Sequence, residues 1–328
     1  MECTQPVSVY YLASGKLGVP LLDVLAADPR VTLLGVGTQP DRPCGRHRRL
    51  EPTAVGAHAD RLGIAAERVP SVNDEGFLSH LRQSAPGLVV VASFGQILRP
   101  ALLSLPRLGC LNVHASLLPR HRGASPISAA ILAGDRHTGI SFMRMDAGLD
   151  TGPVYRQLRL EIADADTAGS LEARLARLAA EGLPDCIVSV ARGELTAAAQ
   201  PGDTATYAPR LTKEDGLIDW SFSARQIECQ VRALVPWPCA FTTFPVPHGS
   251  RRLQVLAAAV DPGPVHSGAP GGVLRADASA WTVACGAGAL QLLRVRAEGK
   301  TEVSAAEFLR GHRVLAGVRL GAGPDQEE

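Results

Sequence analysis

The sequence predicts an α/β chain: a doubly wound, Rossmann-like N-terminal domain followed by a smaller, OB-like β-barrel C-terminal domain. Three observations carry that expectation. Apolar runs of strand length alternate with helical periodicity through the first half. Leu88-Val89-Val90-Val91-Ala92-Ser93 is an apolar run suited to a parallel sheet covered on both faces. Beyond about residue 240 the texture changes to short strand-like runs divided by Gly and Pro, as in a small barrel.

In chain order, Val7 to Ala13 is a first buried strand, and Val19 to Ala27 places Leu21, Leu22, Val24 and Leu25 at helical spacing. Val31 to Val36 is a β-branched second strand. Pro52, a first-turn proline, opens a helix to Leu62. Asn73 is expected to cap a helix from Asp74 to Gln83. After the Leu88 strand, Cys110 to His114 and Ile140 to Met145 are two more strand candidates, and a helix from Thr167 to Ala191 closes the domain. Ala240 to Phe244, Leu253 to Val260, Gly272 to Leu274, Trp281 to Cys285 and Ala289 to Val295 supply the barrel. The expected boundaries are 1–192 for the first domain, 193–208 for a linker, 209–318 for the barrel and 319–328 for a disordered tail.

Composition bounds the function. With 46% hydrophobic and 20% charged residues the chain has material for real cores. No run approaches the roughly 20 apolar residues of a membrane span. The first residues lack the basic flank of a secretion signal, so a cytoplasmic location is expected. The seven cysteines are dispersed, without a C-x-x-C pair, which fits reduced thiols and gives no zinc pattern. A net charge of +1 means that any nucleic acid must be held by a local patch. Gly15-Lys16-Leu17-Gly18 follows the first strand but matches neither phosphate-loop pattern, so it reads as a tight turn.

The chemistry concentrates in Asn112-Val113-His114-Ala115-Ser116-Leu117-Leu118-Pro119-Arg120-His121-Arg122-Gly123-Ala124-Ser125-Pro126. On an extended chain Asn112 and His114 point to one face. A carboxamide can donate to the oxygen of a tetrahedral acyl-transfer intermediate, and an imidazole can move a proton near neutral pH. Gly148-Leu149-Asp150-Thr151-Gly152 adds a carboxylate on a tight turn. The bland alternative stands beside this: Asn112 and Asp150 brace turns, and His114 is a core histidine.

These strings, with Ser93-Phe94-Gly95-Gln96-Ile97-Leu98, resemble the folate-dependent formyltransferases. The resemblance implies that Asn112, His114 and Asp150 are catalytic. It also implies that Ser116, Leu117, Leu118 and Pro119 contact tetrahydrofolate, with 10-formyltetrahydrofolate as donor and no metal. Three further segments resemble the members of that family that act on methionyl-tRNA. They are Thr38-Gln39-Pro40-Asp41-Arg42-Pro43-Cys44-Gly45-Arg46, Thr206-Tyr207-Ala208-Pro209-Arg210-Leu211-Thr212-Lys213-Glu214-Asp215 with Ile218-Asp219-Trp220, and Val235-Pro236-Trp237-Pro238.

The resemblance implies that Arg42, Arg46, Arg48 and Arg49 contact methionyl initiator tRNA, that the α-amine of its methionine receives the formyl group for translation initiation, and that the barrel helps grip the RNA. A monomer is expected. The first turn, Ala13-Ser14-Gly15-Lys16-Leu17-Gly18, departs from the family's usual M-G-T-P-x-F and leaves substrate seating open. Arg120 and Arg122 could serve either folate or tRNA. Two rivals remain: a formyltransferase of a sugar-nucleotide or other small amine, and a non-catalytic RNA-binding protein on the same scaffold.

Overall fold

The apolar run 88–92 forms a strand with every residue buried, and neighbours on both sides complete a seven-stranded sheet around it. The structure is a computed structural model that describes residues 5–44, 49–246, 249–263, 268–312 and 314–321. The chain divides into two compact units. The first comprises 1–127, 137–161 and 170–209, and the second 128–136, 162–169 and 210–328.

Strands of the first unit, in chain order, are β1 (Val7–Ala13), β2 (Val31–Thr38), β3 (Arg42–Cys44), β4 (Arg49–Glu51), β5 (Ala66–Arg68), β6 (Leu88–Ala92), β7 (Cys110–His114), β8 (Arg122–Gly123), β9 (His137–Arg144), β10 (Val154–Glu161) and β11 (Tyr207–Ala208). Helices along the same stretch are α1 (Gly18–Ala27), α2 (Ala54–Leu62), α3 (Glu75–Ser84), α4 (Pro100–Leu103), α5 (Pro126–Leu132) and α6 (Ala168–Ala191). The sheet order is β10-β9-β7-β6-β1-β2-β5. β5, β2, β1, β6 and β7 are parallel, and β9 runs against both β7 and β10. The chain builds outward from β1 to β5 and then crosses to β6, the arrangement that opens a crevice beyond the strands' carboxyl ends.

Burial on both faces explains the composition of the central strands. Tyr10 and Leu12 of β1, Val89 and Val91 of β6 and Cys110 of β7 share a core with Phe77, Leu78 and Leu81 of α3. The alternate residues Val9, Tyr11, Leu88 and Val90 are buried as well. Two helix starts differ from expectation. Thr53 caps α2, so Pro52 stands before the cap and not in the first turn; Thr53 Oγ1 accepts from the Gly56 amide at 3.0 Å, a bond that contributes about 1 kcal/mol. Asp74 occupies the cap position of α3. Asn73 instead bonds across the fold, donating to the Ile97 carbonyl (2.9 Å) and accepting from the Arg99 amide (2.9 Å).

Residues 193–208, expected as a linker, are pinned to the first unit. Val154 and Ala198 exchange backbone hydrogen bonds at 2.8 and 2.9 Å, and β11 pairs in parallel with β8.

The second unit is an antiparallel half-barrel of β12 (Ala240–Val246), β13 (Gly249–Val260), β14 (Val273–Ala276), β15 (Trp281–Ala284), β16 (Ala289–Ala297) and β17 (Val303–Ser304). α7 (Ala224–Ala233) packs on β13 and β16, and α8 (Ala305–Gly311) packs on β16 and β17. Both helices begin with a full capping box, at Ser223 with Gln226 and at Ser304 with Glu307. Trp220, Phe244, Trp281 and Phe308 anchor the core, with Trp281 stacked on Phe308 at 5.4 Å. Of the expected tail, Leu320 is buried and its amide donates to the Gly271 carbonyl at 2.8 Å, while 322–328 lie outside the described residues.

Candidate active site

Cys110, Asn112 and His114 share one face of β7, and along it the apolar core gives way to polar chemistry. Cys110 belongs to the core shared with β1 and β6, Asn112 is partly exposed, and His114 is buried. Asp150 meets both polar residues. Its Oδ1 accepts from Asn112 Nδ2 at 3.2 Å, and its Oδ2 lies 3.6 Å from His114 Nδ1. Oδ2 also accepts from the Gly123 amide at 2.8 Å. The three residues proposed from the sequence therefore form one cluster, with the carboxylate between the amide and the imidazole.

The tautomer of His114 follows from its partners. Nε2 lies 2.9 Å from the carbonyl oxygen of His121, which can only accept, so Nε2 carries a hydrogen. Nδ1 is then the nitrogen that gains or loses a proton, and it faces Asp150. His121 is itself held in the left-handed region (φ 58°), its amide donating to Thr206 Oγ1 at 2.8 Å.

The turn that delivers Asp150 is built for close approach. Asp146 Oδ1 accepts from the Gly148 amide (3.0 Å) and the Thr151 hydroxyl (2.7 Å). A Cβ on Gly152 would sit 1.8 Å from the Arg144 carbonyl oxygen, so only glycine allows the chain to fold back there. Asp150 adopts φ 52°, a conformation that costs an L-residue about 1–2 kcal/mol unless its surroundings hold it. Gln200 supplies the hold: Nε2 donates to the carbonyls of Asp150 (2.8 Å) and Gly152 (2.7 Å). Gln200 Oε1 in turn accepts from Arg122 Nε (3.0 Å) and Nη2 (2.8 Å).

Ser116, Leu117, Leu118 and Pro119 follow β7 directly. Ser116 is fully buried, its hydroxyl donating to the Arg120 carbonyl at 2.6 Å, and Leu118 is buried with its amide on Ser141 Oγ at 3.0 Å. Leu117 and Pro119 are the two of these four with partly exposed surface. Gln157 Nε2 braces the turn through the Leu118 carbonyl (2.8 Å) and Ser141 Oγ (2.9 Å). Across the crevice the first turn is tied to the loop leaving β6: the Gly15 amide donates to the Ser93 carbonyl at 3.1 Å, and a Cβ on Gly15 would lie 2.8 Å from that of Ser93. Ile97, 79% exposed, stands on that loop, where Gln96 donates to the Val69 carbonyl (3.0 Å) and accepts from the Val72 amide (2.9 Å).

The arginine-rich segment is a two-stranded ribbon. Arg42 pairs with Glu51, Pro43 with Leu50 and Cys44 with Arg49, all of them exposed. Arg42 donates to Gln39 Oε1, and Gln39 Nε2 donates to the Phe94 carbonyl at 2.6 Å. Arg46 and Arg48 lie outside the described residues, in the stretch joining the two strands. Sequence reasoning missed Gln200 and the role of Arg122, which is buried. Gln200 lies outside every motif, and Arg122, though inside the Asn112 to Pro126 string, has no local signal that names its partner, so nothing short of the fold brings them together.

Among the described residues no group of three or more His, Cys, Asp or Glu could hold a metal ion, and no helix is long and apolar enough to cross a membrane.

Comparisons with known proteins place the chain in a family. The formyl transferase family matches residues 15–187, and the formyl transferase C-terminal domain matches 210–313. The methionyl-tRNA formyltransferase of Magnetococcus marinus is 42% identical over 315 residues, covering 96% of this chain and 98% of its own. That of Aromatoleum aromaticum is 42% identical over 318 residues, covering 97% and 98%. Among solved structures, HypX from Aquifex aeolicus in complex with tetrahydrofolic acid is similar at TM-score 0.63 and 14% identity, over 93% of this chain and 47% of that one. A sugar N-formyltransferase from a Shewanella species is similar at TM-score 0.57 and 19% identity, over 72% and 92%. The solved structures speak for the fold alone.

Proposed function

The chain belongs to the methionyl-tRNA formyltransferases of the folate-dependent formyl transferase family, and from that premise we propose its donor, acceptor and catalytic residues. Its function is the formylation of methionyl-tRNA for translation initiation. The donor is 10-formyltetrahydrofolate, the acceptor is the α-amine of methionyl initiator tRNA, and Asn112, His114 and Asp150 carry the transfer. The observation behind this assignment is the Asp150 carboxylate, bonded to Asn112 on one oxygen and facing His114 on the other.

The donor supplies a formyl group already activated on nitrogen, so the chain needs only to stabilise charge and move one proton. A free α-amine has a pKa of about 7.7–8.0, so a useful neutral fraction exists near pH 7. Its nitrogen attacks the formyl carbon, and the carbon's bond to folate N10 breaks. Asn112 Nδ2 has two hydrogens and gives one to Asp150, which leaves the second for the developing oxyanion. His114 Nδ1 takes the amine's proton and returns it to the departing N10, with the Asp150 carboxylate beside it to balance the imidazolium. The partly exposed Leu117 and Pro119, with the anchored and exposed Ile97, offer apolar surface to a folate ring. Arg42 and Arg49, with Arg46 and Arg48, would meet tRNA phosphates.

Purified protein given 10-formyltetrahydrofolate should formylate methionyl initiator tRNA in preference to methionyl elongator tRNA, with an amino-sugar nucleotide as the third acceptor in parallel. Formylation of the amino sugar in place of the tRNA would replace this reading.

A further inference from the structure

Gln200 belongs to no helix or strand, yet its amide is fully used on the turn that carries Asp150. Both Nε2 hydrogens go to carbonyls on the C-terminal side of the left-handed residue, its own (Asp150, 2.8 Å) and that of Gly152 (2.7 Å). Its oxygen is held by two nitrogens of Arg122, 7% exposed, at 3.0 and 2.8 Å. Segments on either side are anchored too, Ala198 to Val154 and the Thr206 carbonyl to the Arg122 amide at 2.8 Å.

We infer that Gln200 is a positioning residue for formyl transfer, acting with Arg122 to fix the backbone of Asp150 so that its carboxylate faces both Asn112 and His114. This rests on the catalytic reading of Asp150 given above. The carboxylate direction depends on the dihedral angles at Asp150, and capture of the Asp150 carbonyl fixes the peptide plane that follows those angles, with the Gly152 carbonyl holding the next stretch of the turn. A rotation that moved the carboxylate by an ångström would separate it from Asn112, whose bond is already 3.2 Å long. The hydrogen bonds have one sense only. Arg122 donates, so Gln200 must present its oxygen to Arg122 and its nitrogen to the carbonyls. A glutamate there would satisfy Arg122 and set an acceptor against two acceptors.

The test compares wild type, Gln200→Met, which keeps the volume, and Gln200→Glu, which keeps the shape, each alone and combined with Asp150→Asn. Single-turnover formylation, KM for each substrate and thermal melting are measured. Both Gln200 variants should lower kcat roughly 10- to 100-fold, with KM for folate and tRNA near wild type. In the Asp150→Asn background the same changes should cost little further, because the group they aim is already disabled. If Gln200→Met fails to fold, Gln200→Glu carries the comparison alone. Wild-type kcat in the folded Gln200 variants, with Asp150→Asn inactive, overturns the inference and leaves the reading of Asp150 standing. An equal loss in both backgrounds also overturns it, since Gln200 would then act elsewhere. Wild-type turnover in Asp150→Asn would remove Asp150 from the mechanism and this inference with it.

Discussion

His114 and Asp150 meet through Nδ1 and Oδ2 at 3.6 Å, while the far nitrogen of the ring is committed to the His121 carbonyl at 2.9 Å. The imidazole therefore has one nitrogen free for proton transfer, and the carboxylate lies beside it. Hydrogen bonds donated by Asn112 Nδ2 and the Gly123 amide keep that carboxylate in place.

Loss of either partner on β7 should show in turnover. Asn112→Ala removes the proposed oxyanion donor and should lower kcat by on the order of 10²–10³. His114→Ala should be at least as damaging. Steady-state kinetics decide this, and near-wild-type kcat in either variant takes that residue out of the chemistry.

Arg42 and Arg49 on the exposed ribbon should matter for RNA and not for folate. Alanine at either position should raise KM for methionyl-tRNA. Removing an arginine that neutralises one phosphate should flatten the log–log salt dependence of tRNA binding by about 0.7–0.9. The pair Arg46→Ala and Arg48→Ala extends the test to the stretch between the strands. tRNA titrations at several salt concentrations check it, and unchanged slopes would make the ribbon a solvated surface.

Cys44 gives an independent probe of the same ribbon. Among the described cysteines it is exposed while Cys110, Cys186, Cys229, Cys239 and Cys285 are buried, and burial pushes the Cys110 thiol up to about 12. In a Cys3→Ser background a thiol reagent should modify Cys44 first, and bound methionyl-tRNA should slow that reaction. No protection at saturating tRNA would place the ribbon away from the RNA.

Much of this architecture is legible in the sequence, because sheet strands and amphipathic helices write their period into it. β1 and β7 have the expected bounds, and Asn112, His114 and Asp150, which the family resemblance groups together, meet in one cluster. The segment 193–208 is opaque for a physical reason. It is held by one isolated bridge, a two-residue parallel pairing and the side chains of Gln200 and Thr206, none of which imposes a period. The start of α3 is hidden because Asn73 spends its amide on the loop after β6, a long-range partner that local pattern cannot reveal. Ser116 reads as a contact residue in the motif, but the fold turns its hydroxyl inward.

The departure at the first turn carries a pH signature. Glu172 on α6 has its carboxyl pushed above the ordinary 4.5 by burial, a rise opposed by the Leu17 amide and by Lys16. A raised value means that the folded state holds the proton more tightly. The resulting stabilisation is complete below the ordinary value and is lost as pH rises through the raised one. Glu172→Gln cannot titrate, so its melting temperature relative to wild type should be higher at about pH 7 than at about pH 4. A difference that does not change with pH would mean that Glu172 titrates normally in the fold.

The most direct test of the account is a single-turnover comparison of Asp150→Asn with wild type, both saturated with 10-formyltetrahydrofolate and methionyl initiator tRNA. The substitution keeps the side chain's size and removes the charge that faces His114 Nδ1. Folate binding, measured directly on the same preparations, should change little while the rate of formyl transfer collapses. Weakened folate binding with a normal transfer rate in the saturated variant would contradict it, because Asp150 would then be holding folate and not supporting proton transfer.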